Sequence, residues 1–162
     1  MTDSITIDYL ANHAERATEL ARWFYDEWRE YYRDSAQSLE DVATSFHAGA
    51  NTDTLPLTLI AFCGDRLAGT VSLKQHGMEG RNDLSPWLAG LYVAPAYRGA
   101  GIGSRLVDAS RNEARRLQIG TLHLWTTSAG LEQYYAQRGW SLLERVVYQG
   151  LPGAIMAISP PP

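Results

Sequence analysis

Tyr97-Arg98-Gly99-Ala100-Gly101-Ile102-Gly103-Ser104 is the stretch on which the reading of this chain turns. It follows an apolar run, Trp87 to Val93, stopped at Pro95, and it precedes a helical pattern reaching about Leu117. A strand therefore feeds a glycine-rich turn, and the turn opens a helix. The first amides of a helix have no intrahelical acceptor, and the aligned peptide dipoles place partial positive charge beside them. Glycine removes the Cβ that would hold an anion away from those amides. The turn is suited to cradle a phosphate, with Arg98 adding charge at its mouth. By itself it also fits a plain glycine-rich turn between strand and helix. Two nucleotide patterns do not fit. A mononucleotide P-loop needs Lys and then Ser or Thr after its last glycine, and here Gly103 is followed by Ser104-Arg105. A dinucleotide fingerprint needs Gly-x-Gly-x-x-Gly, and Gly99-x-Gly101-x-Gly103 is one residue short.

Outward from the turn toward the C-terminus, Gly103, Leu106, Val107, Ser110, Ala114 and Leu117 share the inner face of the helix, with Arg105, Asp108 and Arg115 outside. Gly120 is a fitting stop. Thr121 to Thr126 reads as a strand and Ala129 to Arg138 as a short helix ended by Gly139. Trp140 to Val147 and Ala154 to Ile158 read as a closing strand pair, with Ser159 to Pro162 a frayed tail. Toward the N-terminus, Trp87 to Val93 is apolar enough to be a strand buried on both faces. Gly77 to Pro86 is a polar, turn-rich loop. Leu57 to Cys63 and Leu67 to Lys74 form a hairpin across Gly64-Asp65. Ser38, three before Asp41, starts a helix. Asn12, three before Glu15, starts another, whose apolar stripe runs from Ala14 through Leu20, Phe24 and Trp28 to Tyr31. Ser4 to Tyr9 alternates as a strand. The order β-α-α-β-β-β-α-β-α-β-β contains one strand–helix–strand unit from Trp87 to Thr126. It predicts an α/β (α+β) fold with one parallel crossover in a mostly antiparallel sheet of about seven strands. The length of 162 residues predicts one domain over 1–162.

Composition narrows the function. A formal net charge of −4 argues against a nucleic-acid partner, which normally meets a basic face. The single cysteine, Cys63, excludes an intramolecular disulfide and suits a reducing cytoplasm; an apolar setting makes it a poor nucleophile. No run is long enough for a membrane span, and the start of the chain is unlike a signal peptide. His13, His47, His76 and His123 lack metal-ligand spacing, so no metal is expected.

A second stretch, Tyr134-Tyr135-Ala136-Gln137-Arg138-Gly139-Trp140, lies one strand beyond the first. Arg98-x-x-Gly101-x-Gly103 together with this Tyr-x-x-x-Gly-aromatic run resembles the two main motifs of the GNAT superfamily, the GCN5-related N-acetyltransferases. Leu91-Tyr92-Val93-Ala94-Pro95 is similar to the family's strand before its cofactor loop, and the element order covers nearly the whole chain. The resemblance implies a twisted sheet with helices on both faces and acetyl-CoA (coenzyme A) as co-substrate. It implies that the backbone of Gly99, Ala100, Gly101, Ile102, Gly103 and Ser104 holds the pyrophosphate beside Arg98. Leu91, Tyr92 and Val93 would meet the pantetheine arm as an added strand does, in a splayed gap between the Trp87 and Thr121 strands. Ser128 would stand where the family often has Asn, and Tyr135 where a tyrosine faces the cofactor sulfur.

The implied reaction is attack of a neutral amine on the thioester carbonyl. Leu91 or a neighbouring amide would stabilise the oxyanion, and Tyr135 would act as general acid, with Tyr134 as the alternative register. Many family members carry a carboxylate two positions before Tyr92, where this chain has Gly90. Asp83 and Glu79, in the loop before Trp87, or His76 at the strand end ahead of it, are the candidate proton acceptors. By analogy the acceptor is met by Trp23, Glu27, Tyr31 and Trp87, an aromatic and acidic set suited to an ammonium group of a small molecule or peptide. Pairing into a homodimer is compatible with the resemblance. The missing strand carboxylate keeps a second reading open, a catalytically silent CoA-binding or sensor module, and a longer acyl donor is a third.

Overall fold

The computed structural model describes residues 4–159; Pro160 to Pro162 of the expected tail lie outside the described residues. The strands are β1 (Ile5–Tyr9), β2 (Leu57–Cys63), β3 (Arg66–Lys74), β4 (Trp87–Val93), β5 (Leu122–Thr126), β6 (Ser141–Tyr148) and β7 (Leu151–Ile158). The helices are α1 (Ala17–Glu27), α2 (Arg29–Asp34), α3 (Leu39–Ala48), α4 (Ile102–Arg116) and α5 (Ala129–Gln137). Seven strands pair in the order β1-β2-β3-β4-β5-β7-β6. β1/β2, β5/β7 and β6/β7 are antiparallel, and β4/β5 is parallel with Trp87 opposite His123. This is the mixed, mostly antiparallel sheet with a single crossover that the element order predicts.

The chain divides into two compact units. One holds the chain up to Ser72 together with Gly90–Ser110. Its core gathers Leu10, Leu20, Ala21, Val42, Phe46, Ile60 and Phe62. Full burial of a Leu or Ile of this set contributes about 1.5–3 kcal/mol relative to exposure. Thr58 and Ser72, both buried, satisfy each other across 2.8 Å. The capping box at Ser38 forms as expected: its hydroxyl accepts from the Asp41 amide at 3.1 Å, and Asp41 accepts from the Ser38 amide at 2.9 Å.

The N-terminal expectation is corrected. Asn12 caps no helix; Leu10–Arg16 is a 3-10 segment without a side-chain cap. Asp8 is the stronger acceptor there. It takes the Tyr9 amide at 2.8 Å and the Asn12 side chain at 2.9 Å, with His13 Nε2 also 2.9 Å away. Burial alone would raise the Asp8 pKa, but these donors outweigh it and hold the group below the usual range. The long first helix is also corrected. It breaks at Trp28, whose φ of −116° and ψ of 43° are not helical, so Tyr31 belongs to α2.

The second unit holds Leu73–Ala89 and the chain from Arg111 onward. Trp87, Met78 and Ile155 form a buried cluster flanked by Leu84, Trp125, Val146 and Tyr148. Gly153 lets β7 approach β5, because a Cβ there would stand 2.6 Å from the Thr126 carbonyl oxygen.

Candidate active site

The strand β4 changes character along its length. Trp87 and Leu88 are buried, whereas Gly90 is exposed and Leu91, Tyr92 and Val93 are half-buried, which corrects the expectation of a strand buried on both faces. The cause is Gly90 itself. Its φ of +66° is left-handed, a conformation side chains resist, and it interrupts the regular pleat. A Cβ at this position would lie 3.5 Å from Phe24 Cε2, in ordinary contact, so the side chain's absence leaves space over the α1 face.

Tyr92 is enclosed by three α1-side aromatics, with ring centroids at 5.6 Å from Trp23, 5.8 Å from Phe24 and 5.8 Å from Trp28. The Arg98 guanidinium sits 5.4 Å from the Tyr92 centroid, and its Nε donates to the Val93 carbonyl at 2.8 Å. Arg98 is therefore packed back onto the strand end and brings its charge to a defined place. Pro95–Tyr97 makes a single 3-10 turn. The loop then passes through left-handed φ angles at Gly99 (85°) and Gly101 (80°) before α4 begins at Ile102. No heavy atom comes within 4 Å of a Cβ built on either glycine. Their identity is demanded by backbone conformation, and the space beside them is open. Ile102 and Leu106, at 1% and 0% exposure, anchor the head of α4. Gly69 admits them closely, since a Cβ there would meet Leu106 Cδ1 at 3.1 Å. The Arg105 amide closes the first helical bond on Gly101 O at 3.1 Å, so the earlier amides of the turn lie ahead of the helical ladder. Ala100 and Gly103 to Ser104 complete this cradle, a geometry suited to a diphosphate.

In the second unit, Tyr135 is only 5% exposed, wedged edge-on against Tyr134 at 5.3 Å and Trp140 at 5.9 Å. Burial, reinforced by Tyr134, pushes its hydroxyl pKa up to about 12. Tyr134 is half-buried, with the Arg138 guanidinium 4.3 Å from its ring centroid. Ser128 caps α5 by accepting from the Leu131 amide at 3.2 Å, and with Thr126, Glu132, Arg145 and Gly153 it lines a cavity of about 470 Å³.

The loop carboxylates behave differently from one another. Asp83 is gripped through both oxygens by Arg81 at 3.0 Å, and Arg81 also reaches Glu144 at 2.6 Å. The Arg81 bonds hold the Asp83 carboxyl below the usual carboxylate range, which works against its accepting a proton. Glu79 is exposed and is fixed by its amide, which donates to the Tyr148 hydroxyl at 3.4 Å. His76 is exposed. Trp87, assigned above to the acceptor, is corrected: it is fully buried and its Nε1 donates to Leu84 O at 2.8 Å, so no face remains for a ligand. Trp23 is half-buried, Glu27 exposed and Tyr31 49% exposed, all in the first unit. The Arg81 clasp was not foreseen, because its partner Glu144 is 63 residues distant in the chain. Among the described residues no group of three or more His, Cys, Asp or Glu is placed to hold a metal, and no helix is long and apolar enough to cross a membrane.

A parallel crossover whose helix opens on a doubly left-handed glycine turn defines an α/β scaffold. The description "Acetyltransferase (GNAT) family" matches residues 17–140, most of the chain, and the protein belongs to that family. Among solved structures it is similar to an aminoglycoside 6'-acetyltransferase type Ii, at 21% identity, with 97% of this chain and 98% of the other covered and a TM-score of 0.74. It is also similar to the PaiA N-acetyltransferase of Thermoplasma acidophilum in complex with coenzyme A (23% identity, 96% and 99% covered, TM-score 0.65). A nourseothricin acetyltransferase shares 27% identity over 65% of each chain, with a TM-score of 0.52. No curated protein matches.

Proposed function

We propose that the protein is an acetyl-CoA-dependent N-acetyltransferase acting on an amine of a small molecule or peptide. The observation that carries this reading is the turn at Gly99 and Gly101, left-handed at both glycines and open beside both, heading α4 in a chain of the acetyltransferase family. The thioester supplies an activated acetyl group when bound. Amides of the Gly99–Ser104 turn bind its diphosphate, and Arg98, held by Tyr92 and Val93, adds charge beside them. The backbone of Leu91 to Val93, half-exposed beyond the Gly90 irregularity, offers polar groups to the pantetheine arm, and an amide there stabilises the oxyanion.

Tyr135 serves the leaving sulfur. At a pKa of about 12 the hydroxyl stays protonated throughout the working range, so the donor is always present. Full transfer to an ordinary thiolate, with pKa near 8.5, runs uphill by about 3.5 units. Tyr135 therefore stabilises the departing thiolate by a hydrogen bond, and the sulfur gains its proton as the tetrahedral nitrogen loses one. Ser128, with its oxygen engaged as a cap, keeps its hydroxyl proton for the pantetheine arm.

Calorimetry with acetyl-CoA and a thiol-release assay over an amine panel test the reading. Binding with turnover is expected. Binding without turnover by any amine would favour a silent CoA-binding module, and no binding would remove the assignment altogether. Parallel assays with longer acyl-CoA donors measure the acyl preference.

A further inference from the structure

An alkyl amine with a pKa near 10.4 is less than about one part in a thousand neutral at pH 7, so an acceptor that arrives as an ammonium must lose a proton before it can attack. Gly90 leaves β4 without a carboxylate at its point of irregularity. The opposing surface is α1. At 100° per residue, Ala17, Leu20, Trp23, Phe24 and Glu27 fall on one face of that helix. Ala17 and Leu20 are fully buried, and Trp23 and Phe24 pack on Tyr92. Glu27 is the charged member of this face, four residues from Trp23 and three from Phe24, whose ring lies against Gly90. An amphipathic helix normally places an apolar residue there. The helix ends at this position, because Trp28 leaves helical geometry and turns its ring onto Phe24 (5.0 Å) and Tyr92 (5.8 Å). Neighbouring acids are differently placed: Asp26 is paired with Arg29, while Glu27 has no ion pair or hydrogen bond with any described residue. Glu27 is exposed one turn on from the Phe24 ring that meets Gly90, free to meet a cation.

We propose that Glu27 is the proton acceptor for the incoming ammonium, taking over from α1 the part that a β4 carboxylate would play; this rests on the acetyltransferase reading above. Trp23, one turn back on α1, and Trp28, the next residue, are its aromatic neighbours in the chain, a residue type suited to an ammonium. The carboxylate takes one proton from R–NH3+, directly or through one water, and becomes a carboxylic acid. The freed lone pair forms the C–N bond, the C–S bond breaks, and its electron pair leaves on sulfur. The second nitrogen proton ends on that sulfur, and Glu27 returns its proton to solvent, so the sum is amide, thiol and one released proton. The charged and titratable groups on the elements packed on α1 are these: on α2, Glu30, Arg29 paired with Asp26, and Arg33 paired with Asp34; on the 3-10 segment, Glu15, His13 beside Asp8, and Arg16 paired with Glu19; on α3, Glu40, His47 and Asp41 of the capping box; on β4, Tyr92 with Arg98 over its ring.

The test is a pH–rate profile from pH 6 to 10 for wild type, Glu27→Gln, Glu27→Asp, Glu79→Gln and, as a control outside the site, Glu30→Gln. The acceptor probe is whichever of tyramine, spermidine, kanamycin and a lysine-containing peptide turns over fastest with acetyl-CoA. Glu27→Gln should lower kcat/KM at pH 7 by about 100-fold and recover most of that loss near pH 10, where the amine deprotonates unaided. Glu27→Asp should restore part of the neutral rate, Glu30→Gln should match wild type, and the KM for acetyl-CoA should hold in all. A Glu27→Gln loss that is equal at every pH would mean a lost binding contact and overturn the proposal. So would an unchanged profile, or the same recovery appearing in Glu79→Gln instead. Circular dichroism checks that each variant is folded. Wild type that binds acetyl-CoA but turns over none of the four probes would remove the acetyltransferase reading and this proposal with it, an outcome distinct from an active wild type with an indifferent Glu27.

Discussion

Gly77–Pro86 runs into β4 and Arg98–Gly101 runs on toward α4. Both are rich in turn residues, and both carry groups that invite a chemical role. Within its own unit, the first is fastened by side chains. Arg81 grips Asp83 and Glu144, Trp125 Nε1 donates to Gly77 O at 2.7 Å, and Gly77 itself lies so close to Trp87 that a Cβ would stand 2.4 Å from the indole. The second is shaped by backbone angles alone at its two left-handed glycines, with open space beside each. A loop whose carboxylates look catalytic can thus be spending them on its own fastening, while a loop with no reactive side chain at its centre presents amides and room for a ligand.

The largest break in this comparison should come from Gly101→Val. A β-branched residue resists φ near +80°, costs about 1–2 kcal/mol in conformation and misaims the turn amides, so acetyl-CoA affinity should fall on the order of 100-fold by calorimetry. The thermal midpoint should move only modestly. A large loss of stability with intact affinity would mean that the glycines serve packing after all. Next comes Tyr135→Phe, expected to lower kcat about 10- to 100-fold with little change in acetyl-CoA affinity. The same variant carries a stability test. The native tyrosine holds its proton to about pH 12 while the unfolded one releases it near 10. The stabilisation is therefore full below pH 10 and is lost as pH rises from there through about 12. Denaturant midpoints should fall more steeply above pH 10 in wild type than in Tyr135→Phe.

Gly77→Ala should show the opposite signature to Gly101→Val. Crowding the Trp87 indole should cost about 1–3 kcal/mol in denaturant unfolding, while acetyl-CoA affinity per folded molecule is retained. The smallest effect belongs to Arg81→Met. The clasp is solvent-exposed, so global stability should barely move, yet amides from Met78 to Leu84 should exchange faster with deuterium, and the Asp83 carboxyl should titrate at higher pH by NMR. An unchanged exchange pattern would show that Trp125 and Gly77 hold this loop without Arg81.

The glycine turn, the crossover, the Ser38 capping box and the order of elements were legible in the sequence because each rests on local chemistry: a period, a cap, or a residue tolerant of positive φ. Of the candidate site, the conformation of the turn heading α4 was legible to the same depth. The site was less legible elsewhere. Asn12 satisfied the local pattern of a cap, but the carboxylate of Asp8, four residues earlier, recruited its side chain. The apolar stripe from Ala14 to Tyr31 read as continuous, yet the helix stops at Trp28, whose ring packs on Phe24 and Tyr92. Trp87 looked like an acceptor contact and is core, and Asp83 looked like a base and is held ionised by Arg81.

Pattern and spacing alone determined the mixed sheet, the glycine turn heading a helix and the placement of a tyrosine after the crossover strand, since neighbouring residues enforce all three. Tertiary packing decided which charged groups are available. Whether a carboxylate keeps its charge for a ligand depends on the cations and surfaces that the fold brings to it, and those come from distant parts of the chain. Asp83 met a guanidinium and was claimed; Glu27 met none among the described residues and stayed unpaired.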